Sequence, residues 1–520
     1  MVAAVALRLL QWSSNAALQN DGPVFLALAR ALLDGDVRAA LAHEFHPLYP
    51  AAIALVHAAL GRPAGWSLET SAVCASVLAS AGAVFALHAL VRPAFGPERA
   101  ALAAGLLAVH AGAVDMGADV QSEGLYLALF LGTAAALFRA LRAVSPAWAA
   151  AAGVLCGLAY LTRPEGLTLA VVGGGLAAGL LARRRWAPRA AAAFTLALGL
   201  GVAALAFPYI GALYAETGEL WLTRKKSVAW VAGVADAPAH FVDQRREPPW
   251  RDGRVPPGMD ILPRHPLPAS LDEPASPPAA PSLAEAAADL AQSFLRALRY
   301  ELLVFLLLGL YAVRGRPGLR GAFLGAVLAV HAVLLFALAR NVGYVSARHL
   351  LAPAAVLLGY VACSAAPLAG MLGRVARRPV REAVAALLPL ALVGGISLGR
   401  ALREPDVDVL AQREAALWLH DHVAEPGPVC AEKRRVAYYA GAPYVRLRSK
   451  SRPWLAARLR AYEVGHVIVA DDDVEDHPGM AELIPAVLVP IHRVSRGDER
   501  VHVLRVDGAA LARELESYGP

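Results

Sequence analysis

The stretch Gly153-Val-Leu-Cys-Gly-Leu-Ala-Tyr-Leu-Thr-Arg-Pro-Glu-Gly-Leu-Thr-Leu-Ala-Val-Val-Gly-Gly-Gly-Leu-Ala-Ala-Gly-Leu-Leu-Ala-Arg-Arg-Arg185 contains the pattern that organises the whole chain. Its two apolar runs predict membrane-spanning helices, and Arg163, a proline and Glu165 end the first of them. Three consecutive arginines follow the second run. Because positively charged loops favour the cytoplasmic side of a membrane, Arg163 and Glu165 are predicted to lie on the opposite, outer face.

The composition of the chain and its further apolar segments predict a mainly α, polytopic membrane protein. Of the 520 residues, 57% are hydrophobic, which is too many for a soluble enzyme. Apolar segments predict about 11 transmembrane helices, the first of them, residues 2–12, only about 11 residues or roughly 16 Å long and therefore short or incomplete. The others are predicted at residues 67–91, 100–117, 123–141, 146–162, 166–182, 190–213, 298–313, 320–339, 350–372 and 382–400.

Arginines assign a side to each connection. The short loops predicted to be cytoplasmic carry Arg92, Arg99, Arg139, Arg142, Arg183, Arg184, Arg185, Arg189, Arg314, Arg316, Arg320, Arg374, Arg377, Arg378 and Arg381. The alternate connections then face outward: residues 13–66, 118–122, 163–165, 214–297, 340–349 and everything after 400. The apolar residues 47–60 are too short for a span and would invert all later loops, so they predict an interfacial helix.

The net charge and the cysteine spacing argue against a nucleic-acid-binding protein and against a disulfide-rich or cysteine-ligated metal protein. The net charge of +7 is explained by the arginine-rich loops and anionic lipid, and no basic stripe with interleaved aromatic residues indicates nucleic acid. The four cysteines form no disulfide framework or metal-ligand spacing. No cleavable signal peptide is evident. The sequence thus predicts neither a metal site nor a cofactor.

Two large outer pieces complete the predicted organisation. The proline-rich loop 214–297, with proline clusters at residues 245–250 and 274–278, is predicted to be partly disordered and to end in a surface helix around Leu283–Leu298. Residues 401–520 predict a small α/β domain outside the membrane, separate from the membrane domain 1–400. Its predicted helices are Glu414–Val423 and Pro453–Tyr462, and its predicted strands are Gly465–Ala470, Arg500–Val506 and, more weakly, Val487–Ile491.

Residues capable of chemistry collect on the outer face. Asp21 is the second residue of Asn20-Asp-Gly-Pro23, and His46 and Tyr49 belong to the phrase His-Pro-Leu-Tyr-Pro. Glu123 begins a spanning helix. The remaining outer candidates are Arg163, Glu165, Arg340, Arg348 and His349.

This order of motifs resembles the GT-C superfamily of membrane glycosyltransferases, over roughly residues 15–400. The branch most like it includes the protein O-mannosyltransferases and aminoarabinose transferases, with their bacterial family 39-like relatives. Gly157-Leu-Ala-Tyr-Leu-Thr-Arg-Pro-Glu-Gly166 is the most specific phrase, supported by the loop Asp and by His-Pro-Leu-Tyr-Pro. One departure is Phe25, where relatives often have a tyrosine, so any role for that hydroxyl is absent.

The resemblance implies an inverting transfer of a sugar from a polyprenyl-phosphate donor to an acceptor hydroxyl. Asp21 takes the position of the catalytic base, which a weak hydroxyl nucleophile needs. The leaving lipid phosphate needs fixed cations, for which Arg163, Arg340 and Arg348 are candidates. His46 stands where relatives place His or Lys, and Glu123 occupies the position of a second acidic residue. Tyr49, Glu165 and His349 are further substrate-binding candidates.

Structural explanations compete with each of these roles. Asp21 is suited to cap a helix, and Glu123 to interact with a helix dipole. The arginines are able to reach lipid headgroups, and His46 to be a bystander in a proline-rich turn. Elsewhere, Asp115 and Asp119 are interpreted as solvated or cavity-facing groups, and Asp471-Asp472-Asp473 as a solvated loop.

Two functions compete with sugar transfer: a lipid or glycan transporter, and a non-catalytic scaffold with the same fold. A transporter predicts polar residues at mid-depth and on both faces, and the sequence has no internal repeat. The predicted location is the bacterial inner membrane, with several spans and the C-terminal domain extracytoplasmic. The expected partners are membrane lipids, the lipid-linked sugar donor and an acceptor on a protein, lipid or glycan; neither the sugar nor the acceptor follows from the sequence.

Overall fold

Helices make up most of the described chain, which divides into two compact units. The computed structural model describes residues 1–15, 17–218, 220–224, 254–265, 281–315, 318–447 and 451–518. The first unit comprises Met1–Ser13 and the described parts of Leu41–Phe241 and Pro278–Leu402. The second comprises the described parts of Ser14–Ala40, Val242–Pro277 and Arg403–Pro520. The proline clusters at 245–250 and 274–278 lie outside the described residues.

Apolar helices form the first unit, and their order follows the predicted spans. In its first half they are α1 (Val2–Ser13), α4 (Leu48–Val56), α5 (Arg62–Ala64), α6 (Leu68–Phe95), α7 (Pro97–Ala108), α8 (Ala111–Gly117), α9 (Glu123–Ala143), α10 (Pro146–Thr162), α11 (Thr168–Ala182) and α12 (Pro188–Thr217). The second half has α13 (Leu283–Leu298), α14 (Leu303–Ala312), α15 (Gly318–Val342), α16 (Ala347–Val356), α17 (Leu358–Ala362), α18 (Ala365–Ala376) and α19 (Glu382–Ala401). Between Ser14 and Ala40, in the second unit, the chain forms α2 (Gly22–Leu33) and most of α3 (Val37–Ala42).

Seven spans among the described helices are long and apolar enough to cross a membrane, or eight if the bent pair α7 and α8 is one span. Four further apolar helices are shorter, among them α1, α10 and the segment Tyr300–Ala312. The predicted mainly α, polytopic fold is confirmed. The short first helix is present as predicted, and so is a helix at 48–56.

Two predicted spans are broken. The predicted span 100–117 is bent by 57° between α7 and α8. Buried Arg8 supports this break, since its Nη1 donates to the carbonyl of Ala108 at 3.1 Å. Because Ala108 is the last residue of α7, its carbonyl has no helical partner and needs such a donor.

The predicted span 350–372 was wrong as a single helix, because α16, α17 and α18 divide it. Pro353 lacks an N–H, which weakens the helical ladder just before the first break. At the second break, Gly309 of α14 packs directly onto the backbone carbonyl of Tyr360. A side chain at residue 309 would overlap this carbonyl, so the contact depends on glycine.

The C-terminal part of the second unit is a five-stranded sheet covered by helices. Its strands are β1 (Val429–Ala431), β2 (Tyr444–Arg446), β3 (His466–Ala470), β4 (Leu488–Arg496) and β5 (Glu499–Val506), in the order β2-β1-β3-β5-β4. β1 pairs parallel with β2 and β3, whereas β5 pairs antiparallel with β3 and β4. The helices are α20 (Val407–His422), α21 (Arg434–Tyr439), α22 (Arg452–Ala461), α23 (Asp471–Asp476), α24 (Pro478–Leu483) and α25 (Gly508–Glu516).

The predicted α/β composition of this region is confirmed, but two strands, β1 and β2, and four helices, α21, α23, α24 and α25, were missed. β1 and β2 have three residues each, too few to show an alternating pattern. The predicted solvated loop at Asp471-Asp472-Asp473 is instead the first turn of α23. There the Asp473 carboxylate accepts the N–H of Ala470 at 3.0 Å, which caps the helix.

Candidate functional site

The Arg-Pro-Glu-Gly phrase folds back onto α10. Arg163 ends the helix in an extended conformation, and the N–H of Gly166 donates to its carbonyl at 2.9 Å. The Cys156 thiol donates to the Gly166 carbonyl at 3.2 Å. A Cβ at residue 166 would overlap the backbone of Ala159 and Tyr160, so this return requires glycine. The phrase is therefore a tight turn that holds Arg163 against the protein interior.

Four predicted site residues, Glu123, Arg163, Glu165 and Arg348, meet in what we call the Glu123 cluster. Arg163 Nη1 and Glu123 Oε1 are 2.6 Å apart, and Arg163 Nη2 and Glu165 Oε1 are 3.6 Å apart. Arg348 Nη1 lies 3.9 Å from the same Glu123 oxygen. The side chains of Glu123 and Arg163 are 6% and 7% exposed, whereas that of Arg348 is 36% exposed. Arg348 is thus the cation of this cluster that is most accessible to a ligand.

The side chain of His46 lies in a second group, the His46 cluster, with Tyr160, Tyr209 and Thr223. Its Nε2 is 2.9 Å from Thr223 Oγ1, and its ring contacts Tyr160 and Tyr209 with centroids 5.1 and 5.0 Å away. The Tyr160 hydroxyl donates to the carbonyl of Leu222. The segment 220–224 therefore packs onto the histidine.

The Tyr209 hydroxyl and the nearby Arg224 guanidinium add two further polar groups to the His46 cluster. The Tyr209 side chain is 4% exposed, and its hydroxyl has no hydrogen-bond partner among the described residues. Arg224 follows Thr223 and interacts electrostatically with Tyr209. Tyr209, Thr223 and Arg224 were missed as site residues, since one lies inside an apolar span and two lie in a loop without a motif. Tyr160 lies in the phrase Gly157-Leu-Ala-Tyr-Leu-Thr-Arg-Pro-Glu-Gly166, so the sequence did contain a signal for a role of this residue in the site.

Tyr49, Arg340 and His349 have different surroundings. Tyr49 is buried, and its hydroxyl is 2.6 Å from Ser76 Oγ. His349 Nδ1 accepts the N–H of Ser346 at 3.3 Å, an arrangement that caps α16. Arg340 lies in the last turn of α15, and in the described chain no hydrogen bond or ion pair joins it to the Glu123 cluster. Substrate contact by these three residues stays a prediction.

Asp21 belongs to the second unit, where it directly precedes α2. Its side chain makes no hydrogen bond to the first amides of that helix, so helix capping does not explain it. The neighbouring Asn20 side chain accepts the N–H of Arg434 at 2.7 Å. Burial opposes the charge of Arg434, but Asp260 and, more weakly, Asp21 raise its pKa above the ordinary value. Asp21 therefore stands in a polar environment with a cation nearby.

Metal ligation finds no support in these groups. In the part of the chain that the structure describes, no three His, Cys, Asp or Glu side chains are grouped to hold a metal ion. The acidic residues of the Glu123 cluster are paired with guanidinium groups instead. The arrangement can orient a polar ligand and offer positive charge to an anionic group, but it contains no free nucleophile such as an activated cysteine.

Comparison with known proteins gives one family match and several structural neighbours. Residues 45–210 match the family described as dolichyl-phosphate-mannose-protein mannosyltransferase. No protein of curated function matches the chain. ArnT from Cupriavidus metallidurans, solved with undecaprenyl phosphate, has a similar structure at 14% identity and a TM-score of 0.56, with 98% of both chains covered.

A second neighbour is the archaeal oligosaccharyltransferase AglB from Archaeoglobus fulgidus, solved with an inhibitory peptide and a dolichol-phosphate. It is 12% identical with a TM-score of 0.54, and the match covers 92% of this chain and 70% of that one. Structural similarity at such low sequence identity establishes only the fold. The family match adds a sequence resemblance over residues 45–210. Together they confirm the predicted resemblance: the fold of this multi-pass membrane protein is similar to those of ArnT and AglB, and residues 45–210 resemble the dolichyl-phosphate-mannose-protein mannosyltransferase family.

Proposed function

We propose that the protein is an inverting glycosyltransferase that moves a sugar from a polyprenyl-phosphate donor to an acceptor hydroxyl on the outer side of the bacterial inner membrane. The observation that carries this proposal is the Glu123 cluster. Arg348 joins a buried ion pair there while remaining 36% exposed. A guanidinium held in this way suits the negative charge that develops on a departing phosphate. The lipid phosphates bound to ArnT and AglB support the same donor class.

Asp21 is proposed as the catalytic base. In the reaction the acceptor oxygen bonds to the anomeric carbon, and its proton passes to the Asp21 carboxylate. The bond between the anomeric carbon and the phosphate oxygen breaks, and its electron pair leaves with the lipid phosphate. A single displacement of this kind inverts the configuration of the anomeric carbon. No step requires an oxidant or a covalent enzyme intermediate.

The two arginines of the Glu123 cluster have different proposed roles. Arg163 is held by Glu123 at 2.6 Å and by Glu165 at 3.6 Å, so its charge is already largely balanced. It positions Glu123 and the Arg-Pro-Glu-Gly turn. Arg348, more distant from Glu123 at 3.9 Å, is the proposed phosphate contact. The outer location of these groups rests on the arginine bias of the alternate loops.

The His46 cluster is a second proposed contact for the lipid phosphate. We expect Arg224→Gln and His46→Ala each to weaken the binding of undecaprenyl phosphate about 10-fold, because each removes a donor worth roughly 1.5 kcal/mol to a charged acceptor. Titration calorimetry of the purified protein measures this affinity. The matched control is Arg374→Gln, which removes an exposed arginine from α18. Equal affinity in all four proteins would exclude the His46 cluster from phosphate binding.

The cell envelope provides the test of the proposed function as a whole. In a deletion strain, mass spectrometry of envelope glycans and glycoproteins is expected to show one species that lacks a single sugar, together with accumulation of the lipid-linked donor. A plasmid carrying the wild-type protein should restore the sugar, and one carrying Asp21→Asn should not. An unchanged envelope and an unchanged donor pool in the deletion strain would argue against sugar transfer.

A further inference from the structure

Residues 118–122, which we call the α8–α9 turn, place several polar side chains in the protein interior. Asp119, Gln121 and Ser122 are 5%, 4% and 7% exposed. Connecting segments usually run along the surface, since buried polar groups must all find partners. The turn leads directly into Glu123, so these residues adjoin the Glu123 cluster in sequence. A buried polar turn at this position calls for a functional explanation.

Both ends of the α8–α9 turn are anchored to Ser80 of α6. Gly117, before the turn, packs so closely on Ser80 that any side chain there would overlap it. Gly124, after the turn, would place a Cβ 3.3 Å from Ser80 Cβ and 3.2 Å from the Ser76 carbonyl. The turn is therefore fixed at two points on one helix, as a precise binding platform requires.

A fully buried arginine reinforces this anchor. Arg8 Nε donates to Ser80 Oγ at 2.7 Å, and Ser80 Oγ donates to the Ala113 carbonyl of α8 at 3.1 Å. Arg8 Nη1 also donates to the carbonyls of Ala4 and Ala108. A fully buried guanidinium is costly. Here it bonds to α6 and to the end of α7, next to the bend that leads into α8 and the α8–α9 turn. This residue lies inside an apolar segment and was missed from sequence.

The groups that the turn offers are mainly hydrogen-bond acceptors. Gln121 Oε1 is buried and accepts no hydrogen bond from any described residue. Asp119 Oδ1 accepts the N–H of Val120 at 2.6 Å, and a carboxylate has capacity for more donors. The Tyr49 hydroxyl is influenced by the charges of both Asp119 and Glu123, which places all three in one neighbourhood. Such acceptors fit a ligand rich in hydroxyl donors.

We infer that the α8–α9 turn recognises the hydroxyl pattern of the transferred sugar, with Gln121 as a specificity-determining residue. This inference rests on the proposed function. A phosphate would be repelled by the carboxylates of Asp119 and Glu123, and a lipid chain would leave the Gln121 carbonyl oxygen without a donor. A sugar hydroxyl supplies the donor that Oε1 lacks. Buried acceptors that must be satisfied discriminate strongly against a ligand without the matching hydroxyl.

The test compares undecaprenyl phosphate-linked mannose, glucose, galactose and arabinose as donors, with kcat/KM measured for each. We expect the wild-type protein to prefer one of them by about 100-fold over the next. Gln121→Met, which keeps the side-chain length but removes the amide, should reduce that preference to about 10-fold or less. Affinity for undecaprenyl phosphate without a sugar should stay unchanged. Gln292→Met, at an exposed position of α13, is the matched control and should behave as wild type.

Two outcomes would overturn the inference: an unchanged preference in Gln121→Met, or an equal loss of activity on all donors with weaker binding of undecaprenyl phosphate. The second pattern is that of a merely structural residue. If Gln121→Met yields no folded protein, Asp119→Asn is measured in the same way, because it changes charge with little change in shape. A wild-type protein that transfers none of the four sugars would count against the proposed function itself, which separates the two failures.

Discussion

Replacing Asp21 with asparagine is expected to lower kcat for sugar transfer by about 10² to 10⁴-fold, the range that general base catalysis contributes. Asparagine has nearly the same size but cannot take the proton of the acceptor hydroxyl. The yield of folded protein should not change, because the Asp21 side chain does not cap α2. Initial rates at saturating donor, together with thermal unfolding in detergent, measure both quantities.

Asp36 provides the control for this variant. It lies in the same predicted loop and its side chain accepts the N–H of Ala39 at 3.0 Å, a bond that asparagine can also accept. Asp36→Asn should therefore retain wild-type activity and stability. If Asp21→Asn also kept wild-type activity, the assignment of Asp21 as the base would be wrong. If it lost activity only by losing folded protein, the residue would be structural.

Replacing Arg163 with methionine is expected to destabilise the protein by about 3–5 kcal/mol, because it leaves the buried Glu123 carboxylate without its close partner. The pair is 2.6 Å apart and its side chains are 7% exposed or less. A loss of this size is comparable to the whole stability of many domains. We expect little monodisperse protein in size-exclusion chromatography and a markedly lower unfolding temperature.

The double variant Glu123→Met, Arg163→Met should recover much of the lost stability, since both buried charges are then removed. It should remain inactive in sugar transfer. Arg400→Met is the matched control, because the Arg400–Asp115 pair at 3.1 Å is more exposed, at 40% and 24%. That pair is expected to contribute only about 1 kcal/mol or less. A double variant no more stable than Arg163→Met would contradict this account of the cluster.

The helices and their order were predictable, because runs of apolar residues long enough to span a membrane have few alternatives. The breaks were not. The bend after Ala108 depends on Arg8, which is distant in sequence, and the break near Tyr360 depends on the approach of Gly309. Tertiary contacts of this kind leave no local pattern.

The grouping of Glu123, Arg163 and Arg348 followed from a shared predicted side of the membrane and from the family resemblance. The contacts among them did not, since sidedness says nothing about distance. Gln121, before an apolar run, and Tyr209, inside one, escaped notice because a single polar residue in such a place looks the same in the sequence whether it is buried or solvated. Only the packing around each side chain distinguishes a binding group from a tolerated one.

The most direct test of lipid-linked sugar transfer follows the donor itself. Purified protein is incubated with each undecaprenyl phosphate-linked sugar and a cell-envelope extract as the source of acceptor, and the release of undecaprenyl phosphate is measured by mass spectrometry. The account predicts release from at least one donor by the wild-type protein, almost none by Asp21→Asn, and none when a nucleotide sugar replaces the lipid donor. Folded wild-type protein that releases no undecaprenyl phosphate from any donor, or that consumes the nucleotide sugar instead, would contradict it.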